Sequence, residues 1–249
     1  MRTMNPTLNE NVFVKLAPAR TAVGDAMSVA GTVNKTAILL MLALLTAGWT
    51  WNLYAATGNP AAVSPWLFGG LIGGLVAALV TVFKQTWAPV TAPIYALLEG
   101  LVLGGVSAMF EASYPGIVVQ AIGLTFGTLA ALLLAYKAGL IRVTDTFRKG
   151  VVAATGGIFL FYMASFVLGF FGVSLPLIHS SGTFGILFSL AVVGVAALNL
   201  VLDFDLIERG ASRGAPKFME WYAAFGVMVT LVWLYLELLR LLAKLRDRR

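Results

Sequence analysis

The 249-residue chain contains no cysteine and a single histidine, and only 11% of its residues are charged. Without cysteine there is no disulfide framework, thiolate metal site or cysteine nucleophile. With His179 alone, placed in a loop, a His-based triad or a paired-histidine zinc motif is excluded. Soluble domains carry roughly 25% charged residues, so the polar skin of a water-soluble protein is missing too. No P-loop and no dinucleotide glycine fingerprint occurs between a strand and a helix. Enzyme activity and a cofactor are therefore not expected. What is present is apolar: 59% of the residues are hydrophobic, and they gather into runs close to the ~20 residues that cross a bilayer core.

These runs predict an all-α integral membrane protein, because an open strand in lipid leaves backbone groups unpaired. Six spans are expected at Thr36–Ala56, Ser64–Phe83, Thr91–Met109, Ile117–Tyr136, Val151–Phe171 and Gly182–Glu208, with a seventh inside Lys217–Leu245. Gly58-Asn59-Pro60, Ser113-Tyr114-Pro115-Gly116 and Pro176 mark breaks between them. The domain reading is a polar tail over 1–34 with Asn5-Pro6 and Pro18 as breakers, a seven-helix domain over 35–245, and a basic tail over 246–249. The long polar stretch before the first run is unlike a cleavable signal, so that run reads as a permanent span.

The net charge of +6 sits in short clusters rather than along one basic face, which argues against nucleic acid. Lys137, Arg142, Arg148 and Lys149 follow span four, and Arg209, Arg213 and Lys217 follow span six. The loops Thr57–Val63, Ala112–Gly116 and Gly172–Ser181 hold no Lys or Arg. By the positive-inside rule the N-terminus is cytoplasmic, and a bacterial inner membrane is the expected location. Arg240, Lys244, Arg246, Arg248 and Arg249 break the pattern. Either the last helix re-enters, or these charges are sheltered within the bundle. Lys217–Gly226 mixes aromatics with Lys217 and Glu220, which suits a headgroup region and a break at Gly226. One long tilted helix is the competing arrangement.

Glycines spaced four apart, at Gly69/Gly73, Gly70/Gly74, Gly100/Gly104 and Gly123/Gly127, predict close packing of spans two, three and four. Acids inside spans cost roughly 2.5–3.5 kcal/mol each on insertion scales, so each is a site candidate. Glu99 lies mid-span with no basic neighbour in sequence. Asp203 shares a helical face with Asn199 and should look inward, whereas Asp205 points to another side. Glu237 has Arg240 three residues on, so a local ion pair is its structural explanation. Glu99, Asn199 and Asp205 are candidates for an ion pathway.

Asn199-Leu-Val-Leu-Asp203-Phe-Asp205-Leu-Ile207 and Leu234-Tyr-Leu-Glu-Leu-Leu-Arg240 resemble the Bax inhibitor-1, or transmembrane Bax inhibitor motif, family, and its bacterial YccA-like branch in particular. The resemblance covers essentially the whole chain. It implies a seven-helix bundle whose C-terminal helix is surrounded by the other six. It also implies a pH-sensitive calcium or other cation leak channel, with Asp203 and Glu237 as a gating carboxylate pair. Two carboxylates a few ångströms apart in low dielectric cannot both ionise cheaply, so acid would join the helices through a shared proton. Deprotonation would part them and expose oxygens suited to Ca²⁺. Beyond a calcium contact at Asp203 and Glu237, no metal site is expected. The separation of 34 positions between these acids exceeds the family's usual one, and with an unbroken last helix Met228 would take the second position. Besides membrane lipids and a cation, a quality-control protease is a candidate partner, for the chain as a non-conducting regulator. A proton-coupled solute transporter using Glu99 and Asp203 is a further alternative.

Overall fold

The computed structural model describes residues 26–171 and 182–248. The N-terminal tail through position 25, with Asn5-Pro6 and Pro18, lies outside the described residues, as do Pro176 and His179. The described residues contain seven long α-helices: α1 Val29–Thr57, α2 Pro60–Phe83, α3 Ala88–Ser113, α4 Ile117–Lys137, α5 Asp145–Phe170, α6 Thr183–Ser212 and α7 Met219–Asp247. A 3-10 turn, Gln85–Trp87, leads into α3. Every one of the seven is long and apolar enough to span a membrane. The fold is an all-α membrane bundle.

Helix ends fall where side-chain chemistry stops or starts a helix. Ser28 caps α1 by accepting a hydrogen bond from the Gly31 amide, at 2.9 Å. Gly58, with φ of 60°, closes α1 in the left-handed region that favours glycine. Asn59 Oδ1 then accepts from the Ala61 amide at 2.9 Å, and Pro60 fills the first helical position, where its missing N–H is not needed. Only Gly58 and Asn59 separate α1 from α2. Trp49 of α1 and Trp66 of α2 meet edge to face, with ring centroids 4.6 Å apart. Pro65 lies inside α2, so that helix begins before the expected Ser64. α1 likewise starts at Val29, inside the tail expected over 1–34, and α7 runs to Asp247, past the expected boundary at 245.

The described chain divides into two compact units. One comprises the described residues of Pro6–Pro115 with Leu206–Val229, the other those of Gly116–Asp205 with Thr230–Arg249. α6 and α7 therefore contribute to both. Large apolar side chains face outward in each, such as Leu45 and Phe68 in the first and Phe159 and Phe166 in the second. Patches of this kind are untenable in water and ordinary in lipid.

α7 differs from the rest. In its most apolar stretch 67% of residues are buried, against 11% for α5. The successive residues Tyr222, Ala223, Ala224 and Phe225 are all fully buried. Four residues at about 100° each circle the helix axis, so this turn of α7 is enclosed on every side. The expected break at Gly226 is not found: α7 is one continuous helix. Two of the aromatics that suggested a headgroup region, Tyr222 and Phe225, are core residues, with Phe225 edge-on to Tyr95 at 4.9 Å, while Phe218 and Trp221 are half-buried. Re-entry of the last helix goes with the break. Among the described C-terminal bases Lys244 is sheltered, at 5% exposed, and Arg246 is held by a bond to Gln120 Oε1 at 3.1 Å, while Arg248 is exposed.

Of the close packing expected among spans two, three and four, the approach of α2 to α3 is found, and the glycines of α3 meet α1, a helix outside that expectation. A Cβ on Gly100 or Gly104 would run into the α1 backbone at Ala43 or Ala47, and one on Gly70 would lie 2.6 Å from the Leu98 carbonyl. Gly123 and Gly127 have nothing within 4 Å, so α4 makes no glycine-mediated contact there. Four-residue spacing is necessary for such packing, not sufficient. Gly31 serves a charge instead. A Cβ there would strike the carboxylate of the fully buried Glu220. That carboxylate accepts from the Ser28 amide and hydroxyl, both at 2.9 Å, and pairs with Lys35 and Lys217. Gly104→Val should lower stability in detergent by about 1–3 kcal/mol through overpacking. Gly127→Val should change it by less than about 0.5 kcal/mol. Thermal unfolding of the two variants side by side checks the difference.

Candidate functional site: a polar seam in the second unit

Within the second unit α5, α6 and α7 carry polar side chains inward. Asn199 of α6 is 6% exposed, and its Nδ2 donates to Thr155 Oγ1 of α5 and to the Val195 carbonyl, both at 2.8 Å. One turn on, Asp203 is 1% exposed and hydrogen-bonds the Thr230 side chain of α7. Its Oδ2 is buried and accepts no hydrogen bond among the described residues. Glu237 of α7 is 2% exposed. Its Oε1 accepts from the Tyr162 hydroxyl at 2.9 Å and from Arg240 Nη1 at 2.6 Å, and its Oε2 again accepts nothing. Arg240 also donates to the Tyr162 oxygen at 3.0 Å. Beyond it, Lys244 donates to the Gly185 carbonyl at 3.1 Å and to Ser189 Oγ at 2.9 Å.

The contacts fix the register of α6 against α7. Fourteen residues separate Ser189 from Asp203 on α6, and fourteen separate Thr230 from Lys244 on α7. The helices are antiparallel here, and the seam runs about 21 Å at 1.5 Å rise per residue. Thr230, Glu237 and Lys244 recur every seven residues, hence on one face of α7. The structure does not bring Asp203 and Glu237 together as a shared-proton pair. Asp203 stands level with Thr230, two turns or about 10.5 Å of helix before Glu237. An unbroken α7 is the physical reason: no extra segment is looped out to draw Glu237 back to Asp203, and Thr230, two positions past Met228, takes the place opposite it. The ion pair offered as the structural explanation of Glu237 is present.

The other candidates separate as their environments dictate. Asp205 points away from the seam and pairs with Arg148 of α5, Nη2 to Oδ2 at 3.0 Å, with Asp145 3.9 Å from the same guanidinium. That is a fastening of α5 to α6. Glu99 belongs to the first unit, half-buried midway along α3, with a hydrogen bond to Tyr95. Its Oε2 would lie 3.6 Å from a Cβ on Gly74. Among the described residues no cluster of three acids or histidines could hold a metal ion. Thr230, Tyr162 and Thr155 escaped the sequence reading. The heptad from Thr230 through Glu237 to Lys244 was the available signal for the first of them.

Seven long apolar helices, with apolar side chains outward and polar groups buried on facing helices, define a polytopic α-helical membrane protein. The model of the family described as Bax inhibitor 1 like matches residues 5–247, and the chain belongs to that family. No curated protein and no solved structure matches the chain.

Thr230→Val keeps the side-chain shape and removes the hydroxyl from the Asp203 carboxyl. It should cost about 1–3 kcal/mol, the penalty of a buried acceptor left unpaired. Thr57→Val, at an exposed hydroxyl that donates within its own helix and accepts only a long 3.4 Å bond from the Asn59 amide, should be nearly neutral. Denaturation in detergent compares them.

Proposed function

We propose that this protein is a pH-sensitive cation leak, with calcium the ion its oxygen chemistry favours, and that Asp203 is the titrating gate. The observation that carries the reading is one buried seam holding two acids, each with a carboxylate oxygen left without a partner. A fold that needed these acids only as fasteners would satisfy both oxygens, as it does with Glu220. Unpaired carboxylate oxygens in a seam are hard donors of the kind Ca²⁺ takes. Two stations about 10.5 Å apart along α7 suit passage better than capture, since conduction needs sites weak enough to leave.

The gating differs from a shared proton. Asp203 carrying its proton offers no charge to an arriving cation, so acid shuts the entry station. Loss of that proton, as pH rises, leaves a carboxylate held by a single hydroxyl, and the leak grows. Glu237 stays committed to Arg240 and Tyr162 until a cation competes for it. The reading also takes the N-terminus as cytoplasmic, in a bacterial inner membrane.

Calcium flux into liposomes containing the protein, measured from pH 5 to 8, tests this. The wild type should leak more at the higher pH. Asp203→Asn should remove the pH response and cut the high-pH flux by at least about tenfold, in line with loss of one ion-pathway carboxylate. A variant with the wild-type profile would refute the gate. Wild-type liposomes that stay tight at every pH would instead favour a non-conducting regulator that binds a membrane protease or another membrane protein.

A further inference from the structure

We propose that Lys244, with Arg240 one turn before it, is the positive barrier that slows the exit of metal cations from the seam at the C-terminal end of α7. The inference rests on the leak reading and names the regulation of that site. Lys244 is 5% exposed, yet its ammonium meets only two neutral acceptors, the Gly185 carbonyl and Ser189 Oγ. Among the described residues it makes no ion pair. Buried lysines without a carboxylate are rare, because removing an ammonium from water is expensive unless the charge is matched.

Position sharpens the anomaly. Lys244 lies three residues from the end of α7 at Asp247, where a lysine stem can carry its charge out to water. Here the side chain turns inward. Arg240 is tied directly to Glu237 and the Tyr162 hydroxyl, whereas Lys244 makes no ion pair among the described residues and feels the repulsion of Arg240 and the attraction of Glu237 only at longer range. The seam is thus polarised, with Asp203 at one end and Lys244 about 21 Å away at the other. Fixed charges lining a narrow path select ions by sign. A cation drawn in by the acids meets, on the way out, a buried ammonium with no carboxylate in direct contact.

A plainer role would have Lys244 merely fasten the end of α7 to the start of α6. Charge distinguishes the two. Lys244→Gln can still bond Ser189 but carries no charge, and Lys244→Arg keeps the charge. Proteoliposomes of wild type, both variants and Asp203→Asn would be compared for initial Ca²⁺ entry at pH 6, with gel filtration and melting confirming the fold. Lys244→Gln should raise entry about tenfold or more, the scale on which fixed charge alters ion access. Lys244→Arg should stay within about twofold of wild type. Equal increases in both variants would show a lost fastening and overturn the barrier. Wild-type entry with Lys244→Gln, while Asp203→Asn still alters flux, would overturn it and leave the leak standing. If no protein carries flux at any pH, the leak reading fails and the barrier with it. Flux in Lys244→Gln alone would support both.

Discussion

Hydrocarbon offers no hydrogen bonds, so every polar side chain on the buried helix α7 must find its partner on protein. That requirement organises both units. In the first, Glu220 near the start of α7 takes Ser28, Lys35 and Lys217, and Gly31 leaves the space its carboxylate occupies. In the second, Thr230 meets Asp203, Glu237 meets Tyr162 and Arg240, and Lys244 meets Ser189. The contrast between the units is in completeness. Both oxygens of Glu220 are engaged, whereas Asp203 and Glu237 each keep one in reserve. Fully satisfied polar networks make a structure rigid, and incomplete ones leave room for something else to bind.

Much of the fold was legible in the sequence because membrane spans declare themselves by length and apolarity. The order of the helices, the punctuation at Gly58-Asn59-Pro60 and the start of α4 at Ile117 all followed from local chemistry. Errors arose where burial overrides local composition. Tyr222 and Phe225 look amphipathic in isolation, yet both are fully buried in α7. Gly123 and Gly127 have the spacing of a helix contact, yet nothing among the described residues lies within 4 Å of a Cβ added there.

The site was legible in part, for a similar reason. Insertion cost marked Asp203 and Glu237, and both are buried. Helical phase also predicted that Asp203 and Asp205 diverge, and they do, one to Thr230 and the other to Arg148. Phase on one helix says nothing about the height of a residue on another. That height depends on how α6 and α7 slide past each other, and continuity of α7 through Gly226 decides it. A family's acidic pair could thus be matched by residue type and missed by about two turns.

The two-residue link between α1 and α2 bears on how these helices can move. Gly58 and Asn59 are consumed in ending one helix and beginning the next, and Trp49 and Trp66 already join the two. Such a connection has no slack. The link therefore holds the adjoining ends of α1 and α2 at one level, so neither helix can slide along its axis without the other.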